Sequence, residues 1–138
     1  MGRGKLWVTI IFLMIMISMM KMETYAAQPE LVKMRATAYL DTGNKTYTGK
    51  TGHLGIAGAS KNHIGQTALI YQRLPGDVLG EFIGIYEIED TGSAEGASKG
   101  YVIDTWQPDM DSCQKFMDRV YEDGCGGKVF VIFVDAVG

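Results

Sequence analysis

The segment Tyr86-Glu-Ile-Glu-Asp-Thr-Gly-Ser-Ala-Glu-Gly-Ala-Ser-Lys-Gly-Tyr-Val-Ile-Asp-Thr-Trp106 places two strand-like runs on either side of a loop of small residues. Residues 81–88, EFIGIYEI, alternate apolar with polar or small side chains, the period of a strand. Residues 101–106, YVIDTW, read as a second strand. Asp90 opens the loop inside an Asp-Thr-Gly triplet, and Asp104 closes the apolar run after it. Two carboxylates brought together across one loop suggest either a turn with a solvated strand end or a site for acid–base chemistry.

Outward from this segment the same patterns continue. Residues 31–39, LVKMRATAY, alternate well enough for a first strand, and residues 67–71, TALIY, read as another before the turn at Pro75-Gly76-Asp77. Residues 41–65 are dense in Gly, Thr, Lys and Asn and contain one short apolar piece, Leu54-Gly-Ile-Ala57. Met110, Cys113, Phe116, Met117, Val120 and Tyr121 recur at helical spacing, with Asp109 or Asp111 as N-cap and Gly124 beyond the end. Residues 128–134, KVFVIFV, have the β-branched and aromatic content of a buried strand. About six short strands and one late helix predict a mainly β fold, a compact barrel with a single helix.

The N-terminus bears on compartment. Arg3 and Lys5 precede the apolar run of residues 6–20, and Ala26-Ala27 follow as a cleavage site, the order of a secretory signal peptide. The run is short for a membrane span of roughly 20 residues; an uncleaved anchor is the alternative. We therefore expect a leader over residues 1–27, a linker leading into the first strand over 28–35, and one domain over 36–138, outside the cytoplasm. Without the leader, 10 basic and 15 acidic residues remain, a net charge near −5. No basic block is present in the sequence, so nucleic acid is not the expected partner. The even count of Cys113 and Cys125 suggests a bridge in such a compartment. A helix over residues 108–122 would hold the sulfurs apart unless the chain doubles back after Gly124. His53 and His63 are not at ligand spacing from the cysteines, and no metal or cofactor is expected.

Asp-Thr-Gly also occurs at residues 41–43, which raises an aspartic protease. That chemistry needs two carboxylates sharing a proton across a two-fold axis. The 46 residues between Gly43 and Asp90 are too few, and too loop-rich, for a barrel around each triplet. Asp-Thr-Gly is in any case a natural turn sequence.

Ala36-Thr-Ala-Tyr39, Thr48-Gly-Lys-Thr-Gly52, Leu54-Gly-Ile-Ala57, His63-Ile-Gly65, Glu89-Asp-Thr-Gly92, Gly100 and Val102-Ile-Asp104 occur in that order. In this arrangement the chain resembles the 3D domain, named for three aspartates. That domain occurs in stationary-phase survival and resuscitation-type wall proteins and in the membrane-bound lytic transglycosylase A group. The resemblance spans residues 35–135 and implies a six-stranded double-psi β-barrel that cleaves peptidoglycan glycan strands to 1,6-anhydromuramyl ends without adding water. It implies Asp104 as the catalytic acid/base, Asp90 as its neighbour, and Thr37 beside the site. Tyr39 and Trp106 then suit the faces of a sugar ring, although both also suit barrel packing. Thr91 and Lys99 flank the substrate, Lys99 and Lys50 being otherwise solvated loop residues. The expected partner is the glycan strand, the expected state a monomer, with a membrane tether if the leader is kept.

The family's third aspartate has no counterpart. Its segment reads Ile56-Ala-Gly-Ala-Ser-Lys-Asn-His-Ile-Gly65, so the acid would fall near Ala59 or Ser60, and the proline position is His63. Either Ser60, Asn62 or His63 fills the role, or the barrel binds glycan without turnover.

Overall fold

The computed structural model describes residues 8–11, 13, 14, 29–92 and 96–136. The expected leader and its cleavage site lie outside the described residues, apart from residues 8–11, 13 and 14, which are helical. Among the described residues no helix is long and apolar enough to cross a membrane. The chain divides after Glu30, and Leu31–Gly138 is a compact unit of its own.

Six strands build that unit: β1 (Val32–Leu40), β2 (Ile56–Gly58), β3 (Gln66–Leu74), β4 (Val78–Asp90), β5 (Val102–Gln107) and β6 (Lys128–Asp135). They close in the order β1-β5-β2-β4-β3-β6. β1 runs parallel to β5, and β2 parallel to β4, while the four other contacts are antiparallel. Exchanging β1, β2 and β3 with β4, β5 and β6 maps every one of these pairings onto another of the set. This pseudo-symmetric closed barrel, with two parallel pairs built from crossing connections, is the double-psi arrangement. The sequence shows no repeat because the symmetry lives in backbone pairing, which different side chains can satisfy equally.

Alternation sorts the side chains. Met34, Ala36 and Ala38 of β1 and Ile103 of β5 face the core with Ala57, Ala68, Ile70, Ile88, Val129 and Val131. The opposite face of β1 and β5 carries Thr37, Tyr39, Asp104 and Trp106, with Thr37 opposite Asp104 and Tyr39 opposite Trp106. The helix α1 (Met110–Tyr121) starts where the Asp109 carboxylate accepts the Ser112 amide at 2.8 Å. Its Phe116 and Val120 pack into the core. Cys113 on α1 and the buried Cys125 beyond it are free thiols, and burial pushes both above the usual thiol range. The hairpin between β3 and β4 turns at Pro75-Gly76-Asp77, as the composition suggests, with both Gly76 and Asp77 left-handed.

One close approach fixes how the barrel meets its loops. A Cβ on Gly58, the last residue of β2, would collide with the amide nitrogen and Cα of Gly92. The chain leaving β4 therefore crosses directly over β2, at a point where only glycine fits. Gly58→Ala should cost roughly 1–3 kcal/mol as the crossing is forced apart. A shift of the urea midpoint at unchanged slope would register it; an unshifted midpoint would mean that the crossing gives way freely.

Candidate functional site

Gly58 stands between the two aspartates of the opening segment. Its register partners are Asp104 on β5 and Asp90 on β4, the latter reached through a bulge that skips one residue of β4. Asp104 is flanked on its other side by Thr37, whose hydroxyl donates to Oδ1 at 2.7 Å. β1, β5, β2 and β4 thus carry Thr37, Asp104, Gly58 and Asp90 side by side. The Gly92 crossing closes over Gly58, and a Cβ added to Gly92 would point toward the Asp104 Cβ.

Asp104 is 2 % exposed. Asp90 is half-buried and is held by donors from three directions: the Thr91 amide at 2.9 Å, the Tyr47 amide at 3.3 Å and the Tyr39 hydroxyl at 3.4 Å. Burial, followed by the charges of Asp90 and Asp104, keeps the Tyr39 phenol protonated well above its usual pKa. At the pH of any ordinary reaction Tyr39 is a hydrogen-bond donor. Thr37, Tyr39, Asp90, Thr91 and Asp104, all anticipated from sequence, therefore converge.

The other expected site residues do not join them in the same way. Trp106 is only 8 % exposed, and its indole occupies the space that a side chain on Gly52 would fill. It is a packed wall, because β5 is buried on both faces. Ser60 caps a short 3-10 turn, accepting the Asn62 amide at 3.4 Å. His63 lies stacked on Phe133 with ring centroids 3.6 Å apart, and its Nδ1 meets Gln66 at 2.8 Å. Lys99 is exposed in the turn that Tyr101 closes onto Gly96. Among the described residues no three His, Cys, Asp or Glu side chains converge as a metal ligand set.

Sequence reasoning read Lys50 as a solvated loop residue and did not anticipate its pairing with Glu89. Glu89 is 7 % exposed and accepts the Thr48 hydroxyl at 2.6 Å and the Lys50 ammonium at 2.8 Å. Lys50 is thus a tether rather than a free loop cation. A signal was present: a carboxylate at the end of a well-patterned strand, next to a site residue, needs a counter-charge if it is to be covered.

Two surface grooves lie away from the aspartates. One, of about 270 Å³, runs beneath Leu54 and Ile85 beside Glu87. The other, of about 320 Å³, runs between Ile83 and α1 at Phe116 and Arg119. Neither is lined by Asp90 or Asp104, and neither offers converging carboxylates. The aspartate cluster is the better candidate because general acid–base chemistry depends on placed, desolvated proton carriers. Comparison with protein-family models gives no match, and comparison with curated proteins gives none either. The functional reading rests on these residues and their geometry.

Lys50 first, then the Thr48 hydroxyl, hold the Glu89 carboxyl below its usual range. The folded state therefore favours the carboxylate. The resulting stabilisation is complete above the usual glutamate value of about 4.3 and disappears as pH falls through the lowered one. The stability difference between wild type and Glu89→Gln, from urea unfolding, should be level above roughly pH 5 and shrink in stronger acid. A difference independent of pH would show that the charge on Glu89 contributes nothing.

Proposed function

We propose that this chain is an extracytoplasmic peptidoglycan lytic transglycosylase, cleaving the β-1,4 bond between N-acetylmuramic acid and N-acetylglucosamine without a cofactor. The observation that carries the reading is the buried Asp104 carboxyl, aligned by Thr37 and set across Gly58 from Asp90. A glycosidic oxygen leaves only if it is protonated as the C1–O bond breaks. Asp104 donates that proton. The 6-hydroxyl of the muramyl residue attacks C1, and its proton returns to Asp104, so the carboxyl ends as it began and no water is consumed. Ordinary glycosidases need a second carboxyl to activate water or attack the sugar. Here the substrate supplies the nucleophile, which leaves Asp90 free to hold the surrounding donors in place. With the third aspartate of the resembled family missing, the Thr37 hydroxyl is bonded directly to the acid, and Asp90 with its Tyr39 donor stands across Gly58. The apolar run ahead of Ala26-Ala27 supports secretion or a membrane tether, and the acidic balance of residues 28–138 supports no nucleic-acid partner.

The second reading, a glycan-binding barrel without turnover, is favoured by one observation: Asp104 is almost wholly covered. Mass spectrometry of soluble products from purified peptidoglycan separates the two. Anhydro-ended fragments are expected from the wild type, with Asp104→Asn slower by about 10²–10⁴-fold. Fragments heavier by one water would make the protein a hydrolase. Retained glycan with no fragments would establish the binding barrel.

A further inference from the structure

Between β1 and β2 the chain folds on itself. Lys45 and Thr51 form a bridge, the Thr46 amide donates to the Lys50 carbonyl at 2.9 Å, and the Gly49 amide donates to the Thr46 carbonyl at 2.9 Å. The Thr46 hydroxyl adds the Lys50 amide at 3.2 Å. Residues 45–51 are therefore a small self-bonded lobe, which moves as a body if it moves at all. Its hydrogen bonds to the barrel, among the described residues, go to two consecutive residues at the end of β4. The Thr48 amide donates to the Glu89 carbonyl at 3.2 Å, the Thr48 hydroxyl and Lys50 ammonium bind the Glu89 carboxylate, and the Tyr47 amide binds Asp90. Three of the four thus converge on Glu89.

This attachment decides where the Tyr47 ring stands. The ring is 58 % exposed, with the Lys61 ammonium 5.3 Å from its centroid, while its own amide touches a site carboxylate. An exposed aromatic ring whose own backbone amide is fixed to a site carboxylate, with the Lys61 ammonium over the ring, suits the apolar C–H face of a pyranose, with the polar rim of the sugar left to hydrogen-bond. Trp106, one of the two aromatics that the sequence offered, is packed against Gly52 and offers no such face.

We infer that the 45–51 lobe grips the glycan, with the Tyr47 ring as the sugar platform and Glu89 as the residue that positions it. The inference rests on the proposed glycan substrate and adds to it a binding residue and a positioning residue. Tyr47 acts by stacking, so its hydroxyl is dispensable. Glu89 touches no sugar and acts only through the lobe.

The test is sedimentation binding of the chain to purified peptidoglycan, paired with amide hydrogen exchange at Tyr47, Thr48 and Gly49. Tyr47→Ala should weaken binding about tenfold, and Tyr47→Phe should restore it to within about twofold. Both should leave exchange at Thr48 unchanged. Glu89→Gln, and Lys50→Met from the exposed side of the same pair, should speed exchange across the lobe and weaken binding together. Wild-type affinity in Tyr47→Ala would overturn the platform. Unchanged exchange in both clamp variants, or faster exchange at full affinity, would overturn the positioning role. Failure of the wild type to bind peptidoglycan would overturn the glycan reading and the platform with it, while the exchange data would still report whether Glu89 holds the lobe.

Discussion

The crossing of Gly92 over Gly58 is the constraint on which the rest of the arrangement depends. β2 has only three residues, all buried, and it is wedged between β4 and β5. Because neither glycine presents a Cβ there, the chain leaving β4 can turn back across β2 and deliver the next strand to the far side of it. That single passage makes β5 the neighbour of β2, closes the barrel, and sets Asp90 and Asp104 on either side of one residue. Barrel closure and assembly of the carboxylate pair are thus the same structural event. A side chain at residue 58 would disturb both.

Covering Asp104 has a chemical consequence. A carboxyl removed from water is penalised in its charged form, so groups that donate to it or lie beside it decide whether it carries a proton. Thr37 is a hydroxyl, able to donate to the carboxylate and to turn as the proton state changes, which suits a residue that acts first as acid and then as base. Tyr39 remains protonated beside Asp90. The site is therefore built from neutral donors around two acids. Lys50, the lysine tied to this end of β4, is committed to Glu89. Such a site suits a neutral leaving oxygen better than a transferred anion.

Much of the fold was legible because alternation is a strong signal where one face meets the core. Residues 31–39 and 81–88 follow that pattern, and each lies within or alongside an observed strand. The helix was legible from its spacing and from an acidic cap at Asp109 or Asp111, of which the structure uses Asp109, and the hairpin from Pro75-Gly76-Asp77. The order of strands was a different matter. It depends on long-range pairing, and the three residues of β2 are too few to show any period. The site divided along the same line. Thr37, Asp90 and Asp104 were named through the family resemblance, and strand pairing is what sets them side by side. For Trp106 the sequence left sugar stacking and barrel packing both open, and the packing comes from Gly52, fifty-four positions earlier in the chain. His63 was drawn away by stacking on Phe133, a contact that sequence separation conceals. The contacts of Glu89 and Tyr47 were not legible because they form only when a loop folds onto the end of β4.

The central claim is that the carboxylates flanking Gly58 are where the glycan is cut. A crystal structure of Asp104→Asn with a bound peptidoglycan glycan fragment tests it most directly. The account predicts a glycosidic oxygen within hydrogen-bond reach of the residue 104 side chain, about 3 Å. A fragment seated instead in the groove beneath Leu54 and Ile85, with residue 104 still covered, would contradict it.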